Sequence, residues 1–106
     1  MNTLPIMLVH TVIFWLRSDL DAAQRQAFRT EGLDSLRAIP AVAGLYVGGP
    51  APIPPRPVVD ATYTFALTIL FADVAAHDAY QVHPLHRTFV DKFKTCWERV
   101  QIYDAA

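Results

Sequence analysis

The chain opens on a run, Met7 to Leu16, in which apolar, β-branched and aromatic residues follow one another almost without a break. That composition predicts a strand. Read with period two, one face carries Leu8, His10, Val12, Phe14 and Leu16, and the other Met7, Val9, Thr11, Ile13 and Trp15. Both faces are mostly apolar, so this strand is expected to be covered on both sides. The pattern then changes to a helical period. Leu20, Ala23, Ala27, Phe28, Leu33 and Leu36 form one stripe over about Asp19 to Arg37, leaving Arg25, Arg29, Glu31 and Asp34 to face water. Ser18 is the expected N-cap, and the acidic residues after it suit the positive helix end. Gly32 weakens the middle of this helix by about 1 kcal/mol relative to alanine. It also leaves room for a close neighbour, and Pro40 ends the helix.

Val42 to Gly49 reads as a second strand that stops at Gly48-Gly49-Pro50. In the segment Ala51 to Pro57, four of seven residues are proline, which excludes both helix and ladder pairing and predicts a stiff surface loop. Period two returns in Ala61 to Phe71, with Tyr63, Phe65, Leu67, Ile69 and Phe71 on one face and Thr62, Thr64, Ala66, Thr68 and Leu70 on the other. Asp73 caps a short helix reaching about Tyr80, His83-Pro84 makes a turn, and a third helix runs from Pro84 or Leu85 to Cys96 with Phe89, Val90 and Phe93 as its apolar face. Glu98 to Asp104 is the last strand, with Val100 and Ile102 inward.

The order is β-α-β-β-α-β with the second helix split, a single α+β domain of ferredoxin-like pattern over residues 1–106. In that pattern a four-stranded antiparallel sheet carries its helices on one face. The other face would hold Val9, Thr11, Ile13 and Trp15, which is too apolar for water. Packing it against a second copy gives a homodimer, a dimeric α+β barrel. A monomer with the proline loop folded over the sheet is the alternative.

Composition strengthens this picture. Apolar residues make up 53% of the chain and charged residues only 18%, so a core this small benefits from an interface to take the excess. The net charge is −1, and no basic run offers a footprint for nucleic acid. The single cysteine, Cys96, allows no intrachain disulfide and reads as a structural thiol. The apolar runs are too short for a bilayer and the start lacks a secretory pattern, so a soluble, cytoplasmic protein is expected.

Candidate chemistry centres on Tyr80-Gln81-Val82-His83-Pro84-Leu85-His86. A histidine can move protons near neutral pH, and a phenol can donate a hydrogen bond to a developing enolate. Tyr80 and His86 could therefore activate a carbon acid next to a carbonyl. The bland reading is that His83 caps a helix and His86 bonds a carbonyl. His10, set among apolar neighbours on the helix-facing side of the first strand, needs a hydrogen-bond partner or a purpose. It forms the third member of a possible small-molecule site. Phe14, Phe28, Leu33, Leu36, Leu45, Phe65, Leu67, His83, Phe89, Trp97 and Ile102 are candidates for the pocket around it, against the alternative of an ordinary filled core. His77 is expected to be solvated on the outside of its helix. No metal or other cofactor is indicated: the His83/His86 pair lacks a third ligand in obvious reach, and Asp91 is expected to face solvent.

These segments, in this order and spacing, resemble the stress-responsive dimeric A/B barrel family. The likeness rests on Leu8 to Leu16, Leu36 to Val42, Val47-Gly48, Arg56 to Asp60, Tyr63 to Leu67, Phe71-Ala72-Asp73 and above all Tyr80 to His86. The resemblance implies the ferredoxin-like fold and a homodimer joined through the sheets. It leaves activity open, since most members have no assigned reaction. A plant branch includes a polyketide cyclase that closes an aromatic ring by an intramolecular aldol step. There the matching tyrosine and second histidine, Tyr80 and His86 here, act as the catalytic pair with the histidine as base, and a first-strand histidine matches His10. That cyclase also has a third-strand histidine where this chain has Phe65, so a smaller, drier pocket is expected. Three readings result: a cofactor-free enzyme on a carbonyl or polyketide-like compound, a non-catalytic small-molecule binder or stress-protective protein, and a module with a filled core.

Overall fold

The computed structural model describes Ile6 and residues 8–106. Met7, assigned above to the outer face, lies outside the described residues. The first strand, β1, spans Leu8–Leu16, and its burial alternates strictly, with the even-numbered residues Leu8, His10, Val12, Phe14 and Leu16 buried. It is followed by α1 (Ala22–Ala27), β2 (Gly44–Gly48), β3 (Phe65–Phe71), α2 (Val74–Val82), α3 (Pro84–Phe93) and β4 (Trp97–Ala105). The sheet is antiparallel in the order β2-β3-β1-β4, with the helices on the even-numbered face of β1. This is the ferredoxin-like arrangement expected from the sequence pattern. No helix among the described residues is long and apolar enough to cross a membrane.

The first helix differs from expectation at its start and in its geometry. Asp21, not Ser18, is the N-cap: its carboxylate accepts the Gln24 N–H at 2.8 Å, while the Gln24 side chain accepts the Asp21 N–H at 2.8 Å. This reciprocal capping box satisfies two otherwise free donors, which a lone serine cannot do. Asp19 instead pairs with Arg17. After Ala27 the helix widens to a π-helical turn over Phe28–Gly32 and then tightens to 3-10 geometry over Leu33–Ala38. The change of winding turns Phe28, Leu33 and Leu36 all into the core and leaves Ala23 exposed. Gly32 sits where a Cβ would lie 3.1 Å from Phe89 and 3.3 Å from Phe93, so α3 is seated directly against its backbone. Arg25 and Arg29, expected in water, are half-buried and donate to the main-chain oxygens of Leu20 and Val47 respectively.

Strand β2 is shorter at both ends than the expected Val42 to Gly49, and β3 starts at Phe65 rather than at Ala61. Before β3 the chain is held by Asp60, whose carboxylate accepts from Thr62 N–H at 2.9 Å. The third helix ends at Phe93, and a 3-10 turn at Lys94–Cys96 leads into β4, with Cys96 half-buried. Val100 and Ile102 do point to the helix side, opposite Phe14 and Val12. They are not buried, however, being 40% and 47% exposed, because β4 is an edge strand that the helices do not cover fully. The proline run is exposed along its length.

Candidate functional site

The gap left beside β4 is a cavity of about 170 Å³. Its floor is the sheet, through His10, Val12, Phe14 and Leu67. Tyr80 and Gln81 of α2 and His86, Phe89 and Val90 of α3 form one wall, and Trp97, Val100 and Ile102 of β4 form the other. Tyr80 and His86 meet because of the segment between them. His83 ends α2, donating its N–H to the Tyr80 carbonyl at 3.2 Å, and at once caps α3 by accepting the Leu85 N–H on Nδ1 at 3.1 Å. Pro84 occupies the first turn of α3, where a missing N–H costs nothing. The tight corner stacks the Tyr80 and His86 rings edge to face, 4.6 Å between centroids.

His10 lies beside them. Its ring is 5.9 Å from that of Tyr80 and 5.2 Å from that of His77. Asp104 faces it across the β1–β4 ladder, and their side chains meet at 2.5 Å between Nδ1 and Oδ1. A carboxylate can only accept, so His10 holds its proton on Nδ1 toward Asp104. This gives the buried imidazole, only 3% exposed, the partner it requires.

The surroundings set the protonation of the pair. Burial pushes the Tyr80 phenol well above its ordinary value, so it stays an O–H donor at any physiological pH. Burial also lowers His86, assisted by repulsion from His10 and His77, while the Gln81 main chain pulls the other way. His86 is thus held neutral as a base where an exposed histidine would begin to protonate. The same shift affects stability. As the pH falls through the ordinary value of 6.5, the unfolded chain takes up the His86 proton before the native chain does. This contribution is whole above that value and is lost as the pH falls through the lowered native value. Melting temperatures of the wild type should therefore fall more steeply below neutrality than those of His86→Gln; parallel curves would contradict the assignment.

Of the sequence candidates, His10, Phe14, Leu67, Tyr80, His86, Phe89, Trp97 and Ile102 line the cavity. Phe28, Leu33, Leu36, Leu45, Phe65 and His83 do not. Phe28, Leu33 and Leu36 are wholly buried in the core, Phe28 behind the lining residues Phe14, Phe89 and Trp97. Phe65 stacks on Phe28 at 6.0 Å under the Arg29 guanidinium, and Leu45 packs at the edge of the core. Phe65 therefore does not narrow the cavity directly. His77 is not simply solvated: it is half-buried, with its ring against His10 and Phe71. Sequence reading missed Val12, Gln81, Val90 and Val100 as lining residues, and Asp104 as the partner of His10. The inward face assigned to β1 held a signal for Val12, and the apolar face of α3 one for Val90. Only the strand register reveals Asp104.

A mixed sheet-and-helix sandwich with a histidine- and tyrosine-edged apolar cavity defines a small ferredoxin-like α+β protein with room for a ligand. A family model described as the stress responsive A/B barrel domain matches residues 8–106, and the chain belongs to that family. It is 24% identical over 95 residues to olivetolic acid cyclase of Cannabis sativa, covering 90% of this chain and 91% of the cyclase. Among solved structures, a ferredoxin-like protein of the same family from Mesorhizobium loti is 28% identical, with a TM-score of 0.77 over 93% of this chain and 94% of that one. A dimeric ferredoxin-like protein from Thermobifida fusca is 20% identical, TM-score 0.77, over 96% and 92%. Hydroxynitrile lyase from Passiflora edulis is 19% identical, TM-score 0.75, over 94% and 92%.

Proposed function

We propose that this protein is a cofactor-free enzyme that moves a proton on a small carbonyl compound, with His86 as the base and Tyr80 as the hydrogen-bond donor to the carbonyl oxygen. The observation that carries this reading is the contact of the two rings, 4.6 Å apart, at the wall of one apolar cavity. His86 takes the proton from the carbon next to the carbonyl, and the charge that develops on oxygen is met by the Tyr80 O–H. His10, held by Asp104, positions this wall. The cavity volume sets the substrate's size. An apolar cavity of about 150 Å³ accepts benzene, so about 170 Å³ suits one aromatic ring or a short polyketide-like chain. The cyclase and the lyase to which the chain is similar guide the choice of compounds to assay. The test is a screen of small aldehydes, aromatic ketones, cyanohydrins and short β-polyketide thioesters against the wild type and His86→Ala. Turnover that disappears in the variant supports the reading. A ligand that binds without turnover in either protein would favour the alternative, a non-catalytic binding or stress-protective barrel.

The protein acts as a homodimer joined through the outer sheet face. Val9, Thr11, Ile13, Trp15 and Leu70 lie half-buried there, beside Tyr46 at 72% and Tyr103 at 63% exposure. A surface this apolar is better placed against a second copy than in water. Native mass spectrometry should give twice the chain mass, and Ile13→Glu, at the centre of that face between Ala66 and Gln101, should give the single mass. A monomeric wild type would contradict the dimer.

A further inference from the structure

The geometry points to a binding site for a divalent first-row transition ion, of the zinc class, made by His10, His77 and Asp104. This goes beyond the proton-transfer reading and does not depend on it. The three residues come from β1, α2 and β4, and one donor atom from each lies within 4.8 Å of the other two. Two imidazoles and one carboxylate suit zinc and its neighbours, whereas calcium and magnesium prefer all-oxygen sets. In a tetrahedral site, bonds of about 2.0–2.2 Å set donor atoms about 3.3 Å apart, so His10 and Asp104, now at 2.5 Å, part by a fraction of an ångström to admit the ion. The adjustment falls to the two more exposed side chains. His10 is fixed in the core, but Asp104 is 42% exposed on an edge strand and His77 is 20% exposed on the outer side of α2.

A second observation concerns how the ligands are held. Asp78 accepts a hydrogen bond from His77 Nδ1 at 3.1 Å, which turns the lone pair of that ring to Nε2, where it now accepts from the Gln81 side-chain amide at 3.5 Å and where an ion would displace that amide. A carboxylate behind a histidine is the arrangement that orients metal-bound imidazoles and raises their basicity. At His10 the ion would take the place of the proton now shared with Asp104, so that binding releases it. Three protein ligands leave a fourth position for water or a ligand atom. Because His10 also lines the cavity, that position would lie at the cavity's edge, close to Tyr80.

The experiment is a calorimetric titration of Zn²⁺ alone into the full-length protein, freed of metal by chelation and dialysis, with no substrate present. One ion should bind per chain. His77→Leu keeps an apolar side chain against Phe71 and removes one ligand, and Asp104→Asn weakens another. Each should reduce the affinity by at least about 10–100-fold, the range seen when even an outer-shell partner is lost. His83→Ala should leave it unchanged. Zn²⁺ should raise the melting temperature of the wild type and fail to raise that of His77→Leu, whose own cooperative melting transition shows that the variant is folded. No binding to the wild type, binding that His77→Leu does not weaken, or binding abolished by His83→Ala would each overturn the site. Absence of Zn²⁺ binding would leave the ring contact of Tyr80 and His86 as it is, so the two proposals fail separately.

Discussion

Replacing Phe28 by alanine is expected to destabilise the protein by about 3–5 kcal/mol, a large part of the roughly 5–15 kcal/mol that holds a domain folded. Phe28 is fully buried. Its ring meets Phe14 at 5.2 Å, Phe93 at 5.7 Å, Phe65 at 6.0 Å and Trp97 at 6.2 Å, mostly edge to face, so one side chain joins β1, β3, α3 and the start of β4. Those contacts add to simple area burial. The void would not close easily, because Gly32 in the next turn is already seated against Phe89 and Phe93. Phe14, Phe89 and Trp97 have cavity on one side and Phe28 on the other, so the truncation should also loosen the site wall. Urea denaturation measures the loss directly. A change below about 1.5 kcal/mol, the range of a conservative core swap, would mean that Phe28 is not the centre of this cluster.

The two-residue period of β1 and β3 was legible in the sequence because each strand buries one face against helices, and a one-residue slip would expose every core residue. The Asp73 cap and the corner at His83-Pro84 were legible for a similar reason: their physics is contained in a few consecutive residues. The interior of the first helix was not. A straight helical period over Asp19 to Arg37 cannot anticipate a π-helical turn, which arises where α3 presses on Gly32. The candidate site divides in the same way. Tyr80 and His86 are joined by a local motif, whereas His10 and Asp104 are 94 residues apart and meet only through the β1–β4 register. Phe28 and Phe65 were apolar in the right places, but sequence alone does not separate the layer that lines a cavity from the layer behind it. The short, weakly patterned α2 gives no sequence signal for which side His77 takes. The two inner strands beneath it, with His10 of β1 and Phe71 of β3 facing up, are what draw its ring inward.

On a substrate found by the proposed screen, His86→Ala should lower kcat by about 100- to 10,000-fold, the range for loss of a positioned general base. Tyr80→Phe should lower it by about 100- to 1,000-fold, as for loss of one donor to a developing oxyanion. Both substitutions leave the apolar wall largely in place, so KM should move much less than kcat. The double variant should be little worse than His86→Ala, because without the base there is little charge on oxygen for Tyr80 to meet. The pH profile separates this role from a structural one. Since burial lowers His86, the acid limb of kcat/KM should lie below 6.5, and activity should stay flat from there through neutrality. Burial raises Tyr80, so its ionisation should cause no loss below about pH 10, the ordinary range for a phenol. An acid limb that persists unchanged in a residually active His86→Gln would assign the proton to another group, and His10 would then be the base to test. Full activity in both Tyr80→Phe and His86→Ala would remove the pair from the chemistry and leave the cavity as a binding site.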